Sequence, residues 1–469
     1  MTQAIHRKNT SRARIPYIWA PVCTILLLCG IYLVFELFPF GGKTLSWCDM
    51  NQQVIPLMLD FKDILSGKTS IFLNLQNAGG MNFWVVFLFF LSTPFTFLIA
   101  FIEKSQVFLF VNILVGAKMA VCACTAAIFF YKRFPTLSTF ESVGLSVLYA
   151  FCGYSLFYYQ NIVWLDMMYL FPLLLLSLLY LAEKRKILPY VFAFSGMMVV
   201  HFYLSYMIVL FLLLGCVLYA YFIIEPKKRR RAFLLLGLGT CVSALLTAPV
   251  WLPSLLEYMS SARTGDLYTN LTTGNLLTRL DTTLPVLFCT AGIFAAVPAA
   301  FAHPSFKSST RNMLLLLFAL LLIPVCIEPI NKMWHTGSYQ AFPVRYGYIT
   351  VFIGLILMAF LLSNAEKSIL QYKQDSSPAP VVFSILSVAV VLLLAEYLLR
   401  TSFYEITPYT RSLWGSQEAL EKLLIFALVT VCAYFLLFLF RFYNQIQKPV
   451  FTALFAFLIL MECLFNGCI

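Results

Sequence analysis

Charge is what this chain has least of. Only 11% of its 469 residues are Asp, Glu, Lys or Arg, against 61% hydrophobic ones, and four are histidine. Too few charges remain to solvate an ordinary soluble domain, so that class is excluded. Cysteine in metal or redox spacing is also missing. The 13 cysteines lie mostly within apolar stretches, Cys122, Cys124 and Cys241 among them, without CxxC or Cys/His patterns, and read as small packing residues. No small-x-small cleavage site follows the first apolar segment, and neither low-complexity tracts nor inverted repeats are visible.

What is present is a succession of apolar runs separated by short polar links. Each run is long enough, at 1.5 Å per residue, to cross a hydrocarbon core of roughly 30 Å. The fold class is an all-α polytopic membrane protein, one integral membrane domain over residues 1–469. Spans are expected near 17–38, 107–131, 141–158, 166–183, 187–203, 206–224, 232–255, 284–302, 312–328, 346–363, 380–398, 421–441 and 449–466, about thirteen helices. The formal charge of +12 comes from basic clusters between these runs, such as Lys184-Arg185-Lys186 and Lys227 to Arg231. That pattern suits cytoplasmic loops on an anionic leaflet, so the partner is the lipid bilayer and not nucleic acid.

Arg7, Lys8, Arg12 and Arg14 precede the first span, which puts the N-terminus in the cytoplasm and the loop carrying Asp49 outside. Residues 39–106 form the first extracytoplasmic loop. In it Val54, Leu57, Met58, Phe61 and Leu65 recur at helical spacing opposite Gln53, Asp60 and Asp63, as in an interfacial amphipathic helix. The apolar run Phe83 to Ile102 is interrupted by Ser92-Thr93-Pro94. Were it to cross, every later basic cluster would face outward, so it is read as a re-entrant or juxtamembrane hairpin. Long polar loops then collect on the outer face, the face where the protein is expected to work. Glu36, Glu396 and Glu462 read as interfacial acids.

Four polar groups converge on that face: Trp47 to Gln53 around Asp49; Tyr158 to Asp166, including Tyr159, Asn161 and Trp164; His201 with Tyr203; and Trp334-His335 through Arg345. Glycosyl transfer from a lipid carrier needs a base for the acceptor hydroxyl, cations for the leaving phosphate and aromatic surfaces for the sugar. Asp49 is the candidate base, and Arg345 and His335 are candidate phosphate ligands. Lys118, in mid-span, is either a further phosphate anchor or half of a buried ion pair. Trp47, Gln52, Gln53, Tyr159, Asn161, Trp164, His201, Tyr203 and Trp334 are candidate sugar or acceptor contacts, although Trp164 and the tyrosines equally suit an interfacial aromatic belt. Asp166 opens a span, where a helix N-terminus favours its charge. No cofactor is required; Mg²⁺ or Mn²⁺ bridging Asp49 and Asp166 is chemically reasonable but not demanded by spacing.

The Cys48-Asp49-Met50-Asn51-Gln52-Gln53 loop, Asn77 to Asn82 leading into Leu91-Ser92-Thr93-Pro94-Phe95, Asn161-Ile162-Val163-Trp164-Leu165-Asp166, and Trp334-His335 through Phe342-Pro343-Val344-Arg345-Tyr346 together resemble the bacterial YfhO family. The resemblance covers nearly the whole chain and implies a GT-C type glycosyltransferase in the bacterial cell membrane. Its sugar would come from a polyprenyl (undecaprenyl) phosphate donor and go to an extracytoplasmic cell-wall polymer or glycolipid such as teichoic or lipoteichoic acid. By position it implies Asp49 as catalytic base and Asp166 as second acid. The chain departs from the family pattern at His201-Phe202-Tyr203, where Asn-Tyr-Tyr is usual. The rival from another class is a transporter or flippase of a polyprenyl-linked sugar, which calls for a polar path through the membrane rather than a polar outer mouth.

Overall fold

The computed structural model describes residues 16–76, 82–260, 267–303, 308–339, 341–372 and 417–468, with single positions at 80, 382, 385, 386, 389 and 393. The basic residues Arg7 to Arg14, part of the Asn77 to Asn82 motif, most of the expected span at 380–398 and the loop that follows it lie outside the described residues. Among the described residues the chain is helical, with two isolated bridges, Leu37 to Lys43 and Leu277 to Ile327, and no named strand.

In chain order the helices are α1 (Pro16–Val34), α2 (Ile55–Leu65), α3 (Phe83–Phe90), α4 (Val107–Arg133), α5 (Thr139–Ala150), α6 (Gly153–Tyr158), α7 (Trp164–Lys184), α8 (Leu188–Val200), α9 (Phe202–Phe222), α10 (Pro226–Leu246), α11 (Ala248–Ser260), α12 (Leu267–Thr272), α13 (Leu280–Phe288), α14 (Ala291–Ala302), α15 (Ser308–Cys326), α16 (Glu328–Trp334), α17 (Gly347–Tyr372), α18 (Gln417–Phe442) and α19 (Lys448–Cys468). Among the described residues nine helices are long and apolar enough to cross a membrane, or up to 12 if three bent pairs each count as one span. Of the expected thirteen, the span at 380–398 lies mostly outside the described residues, and three others differ for physical reasons. The runs at 232–255 and 284–302 are each two helices, bent by 74° and 70°. Helix α8 has only 13 residues, about 20 Å of rise, which is short for a full crossing.

Local chemistry sets many of these ends. Ser138 and Glu141 form a reciprocal capping box at the start of α5. Thr93 accepts from the Phe95 N–H with Pro94 in the first helical position. The run from Phe83 to Phe101 therefore breaks where the sequence carries Ser92-Thr93-Pro94, and its two arms meet at 111°. Ser92 bridges the break to the rest of the protein, its hydroxyl lying 2.8 Å from the Val199 carbonyl and 2.7 Å from that of Val200. Helix α2 buries Leu57, Met58 and Phe61; Asp63 pairs with Lys104, in the turn before α4, at 2.5 Å, and Lys62 donates to the Ile99 and Ala100 carbonyls at 3.2 and 3.1 Å, which ties α2 to the far arm of the break.

The core is one continuous apolar cluster. Helix α1 packs on α4 and α5, α4 on α7, and α14 on α17 and α18. Glu462, expected at an interface, is instead buried in α19, accepting from the Ala291 backbone N–H and from the Tyr434 hydroxyl at 2.9 Å. A carboxyl group so enclosed is tolerated because donors satisfy it. Glu36 is exposed and pairs with Lys43 at 2.7 Å, and Glu396 lies outside the described residues.

A close approach of two helix backbones lies beside the polar region. A Cβ on Gly153, the first residue of α6, would stand 2.5 Å from the Val286 carbonyl oxygen of α13. Backbone cannot yield there as a flexible side chain can, so Gly153→Ala is expected to cost about 1–3 kcal/mol. The check is thermal unfolding in detergent; an unchanged midpoint would show that α6 and α13 do not pack this closely.

Candidate functional site

The loop from Tyr158 to Trp164 holds the site together. Lys118 reaches from α4 to donate to the Ile162 carbonyl at 3.0 Å and to the Asp166 carboxylate in the first turn of α7. Both side chains are 0% exposed. The other Asp166 oxygen accepts from the Thr93 hydroxyl at 2.8 Å, so the carboxylate is shared between α4 and the Ser92–Pro94 break. Of the two readings the sequence left for Lys118, the structure shows the buried ion pair and names its partner. Phe95 adds an aromatic face 5.3 Å from the ammonium. The N-cap of α7 is Val163, so the Asp166 side chain is used for this pair and not as a cap.

On one side the same loop meets Asp49. Asn161 Nδ2 stands 3.4 Å from Asp49 Oδ2, and Gln53 Nε2 is 3.5 Å from Oδ1. Asp49 is part-buried, and among the described residues it has no cationic partner. Tyr159 donates to the Leu45 carbonyl at 3.0 Å, with Trp47 beside its hydroxyl. Asn112 of α4 fastens the approach to Asp49: its Oδ1 accepts from the Leu45 N–H at 2.8 Å, and its Nδ2 donates to Lys43 and Phe38 carbonyls at 3.1 and 3.2 Å. Gln52 and Gln53 are exposed.

On the other side the loop meets Arg345. Its guanidinium lies 5.2 Å from the Trp164 ring and 5.5 Å from the Tyr203 ring. Nη2 and Nε donate to the Ala341 and Phe342 carbonyls at 3.0 and 3.3 Å. No carboxylate pairs with it among the described residues, which leaves part of a five-donor fork for a ligand. The Tyr158 hydroxyl accepts from the Val344 N–H at 3.1 Å and so fixes this segment to the hub.

Two bulky or functional neighbours sit at positive φ: Cys48 at 44°, next to Asp49, and Phe342 at 58°, near Arg345. Phe342 is held there by edge contacts to Tyr158 (5.3 Å) and Trp164 (5.4 Å). Such outliers persist only where surrounding structure over-determines them, and they cluster at functional sites.

The histidines differ from their expected roles. His335 is fully buried, and burial, then the charge of Arg345, depresses its pKa to about 3. It is therefore neutral at physiological pH and cannot act as a cation. Its Nδ1 lies 2.8 Å from the Asn331 carbonyl, which can only accept, so the proton is on Nδ1 and Nε2 holds a lone pair. His201, also fully buried, is lowered to about 3 by the same causes, burial first. Trp334 is a core aromatic, 5% exposed and 4.6 Å from Tyr346, not an open sugar platform.

The structure thus brings together Asp49 with Asn161 and Gln53, Asp166 with Lys118, and Arg345 with Trp164 and Tyr203. It does not join Asp49 to Asp166, and among the described residues no group of three or more His, Cys, Asp or Glu gathers to hold a metal. Asn112 is absent from the residues the sequence singles out, although a polar amide six residues from Lys118 in an apolar run is a signal. Thr93 and Tyr158 stand within the stretches singled out, but their partners, Asp166 and the Val344 N–H, have no local signal.

The spans and buried intramembrane ion pair define a multi-pass helical membrane protein with its polar groups gathered around one interhelical loop. The family model for the bacterial membrane protein YfhO matches residues 22–469. The chain belongs to the YfhO family. No curated protein and no solved structure matches it.

Removing one partner of the buried pair strands the other charge. Lys118→Met or Asp166→Leu is expected to cost about 3–5 kcal/mol, and the Lys118→Met/Asp166→Leu double variant less than the two single losses combined. Chemical or thermal unfolding in detergent measures this; additive losses would mean that the two groups do not interact. The histidines predict a pH effect. Between pH about 6.5 and about 3 the unfolded chain binds protons that the folded chain excludes, so stability falls as pH falls through that window and is unaffected above it. Melting wild type and His335→Gln from pH 7.5 to 5 tests the sign: the wild type should lose more.

Proposed function

We propose that the protein is a GT-C type membrane glycosyltransferase that moves a sugar from a polyprenyl (undecaprenyl) phosphate donor to an extracytoplasmic cell-wall polymer or glycolipid, teichoic or lipoteichoic acid being the class implied. Membership of the YfhO family supports the membrane setting. The observation that carries the chemical reading is that one loop contacts both required groups, Asp49 through Asn161 and Arg345 through Trp164.

In this reading Asp49 takes the proton of the acceptor hydroxyl as its oxygen attacks the anomeric carbon. The bond from that carbon to the donor phosphate oxygen breaks, and polyprenyl phosphate departs with the electron pair. A single displacement inverts the anomeric centre. Asp49 suits the base because its carboxylate is partly open and is approached by amides rather than by a cation. Arg345 suits the leaving group because its unsatisfied N–H groups and fixed charge oppose the growing phosphate charge. Asp166 acts as a positioning residue, holding Lys118 and with it the carbonyl of Ile162. Tyr203, partly exposed beside Arg345, offers a ring face to a sugar, while the buried Trp164 backs the guanidinium. Access from the extracytoplasmic side follows from the basic N-terminal cluster.

Asp49→Asn keeps the shape and removes the base. Sugar transfer from a polyprenyl-phosphate sugar to wall polymer, assayed in membranes carrying correctly folded protein, is expected to fall by about 10²–10⁴-fold. Full activity would remove Asp49 from the mechanism. Sugar crossing sealed vesicles without transfer would favour the transporter reading.

A further inference from the structure

The structure leaves a buried proton donor near Arg345 without an acceptor. His201 ends α8 and caps α9, its Nδ1 accepting the Leu204 backbone N–H at 3.2 Å. A ring nitrogen that accepts carries no proton, so in the neutral imidazole the proton sits on Nε2. His201 is 0% exposed, and Nε2 has no hydrogen-bond partner among the described residues. An unmatched buried donor carries the desolvation penalty of a lost hydrogen bond, so a site that retains one has a use for it.

Tyr203 connects this donor to the arginine. Its ring lies 6.3 Å from the His201 ring and 5.5 Å from the guanidinium carbon of Arg345. On the other side its hydroxyl donates to the His335 carbonyl at 3.3 Å. The two histidines are opposite tautomers: His335 donates through Nδ1 and presents a lone pair at Nε2, whereas His201 accepts through Nδ1 and presents N–H at Nε2. Phosphate oxygens only accept. Of the two imidazoles, the His201 ring is the one with a proton to give.

We propose that His201 Nε2–H and the Arg345 guanidinium form a two-point clamp on the phosphate of a prenyl phosphate ester, replacing His335 in that role; this rests on the transferase reading above. A neutral donor suits the site because it adds a hydrogen bond without a second buried cation beside Arg345. The donor phosphodiester carries one negative charge and the departing monoester up to two, so the added hydrogen bond strengthens as the leaving group forms.

The test titrates farnesyl phosphate, and farnesol as the uncharged control, into the full-length chain in detergent. His201→Asn keeps an oxygen that caps Leu204 but does not reach the Nε2 position. It is expected to weaken farnesyl phosphate binding by about tenfold or more, with farnesol binding unchanged. His201→Gln, whose amide reaches further, should recover most of the affinity; His201→Phe, which fills the ring's volume without a donor, is expected to lose it and serves if the Asn variant folds poorly. Wild-type affinity in a folded Asn or Phe variant, with Arg345→Gln still losing phosphate binding, would overturn the clamp and leave the transferase reading standing. Failure of the wild type to prefer farnesyl phosphate over farnesol would overturn that reading together with the clamp.

Discussion

The structure depends most on a charge that has no water to return to. Lys118 stands fully buried in α4, and an isolated ammonium there would cost several kcal/mol or give up its proton. It is kept by three groups from three segments: the Asp166 carboxylate, the Ile162 carbonyl and the Phe95 ring. Thr93 holds the second oxygen of Asp166. Helices α4 and α7, the loop that leads into α7 and the Ser92–Pro94 break are therefore fixed by one electrostatic requirement. A buried pair of this kind contributes little to net stability compared with apolar packing, and its value is in defining a unique arrangement, here that of the Ile162 turn.

From that turn the path to function is short. Asn161 and Trp164 flank Ile162, and they contact Asp49 and Arg345 respectively. The flanking segments are each tied by a buried polar bond, Asn112 to Leu45 on the Asp49 side and Tyr158 to Val344 on the Arg345 side. In a low-dielectric bundle such bonds are costly to break, which lets short irregular segments hold strained residues such as Cys48 and Phe342 in place. The aromatic residues between them, Trp164, Phe342 and Tyr203, provide surfaces that need no charge to be neutralised elsewhere.

Much of this was legible in the sequence. Hydropathy located the helices because transfer cost is a sum over residues and needs no partner. The Ser92-Thr93-Pro94 break was readable because proline removes a donor and threonine offers a cap. Asp49, Asn161, Trp164 and Arg345 stood out as polar or aromatic groups at apolar boundaries. Pairings were not legible. Lys118 and Asp166 are 48 residues apart, and nothing local distinguishes an ammonium that meets a carboxylate from one that meets a ligand. Glu462 and Trp334 were misread for the same reason, since an apolar sequence context does not say whether a neighbouring helix covers the side chain. The bends after Leu246 and Phe288 depend on packing against other helices, and the tautomers of His201 and His335 depend on backbone groups that only the fold supplies.

On the proposed function, the loop pinned by Lys118 and Asp166 assembles one site with Asp49 on one side and a phosphate-binding arginine on the other. An experimental structure of the full chain with undecaprenyl phosphate tests it most directly. Phosphate density is expected against the Arg345 guanidinium, between Trp164 and Tyr203, with the Asp49 carboxylate open to the same space. Phosphate bound elsewhere, for example at Arg133 at the opposite end of α4, with Arg345 empty, would contradict it.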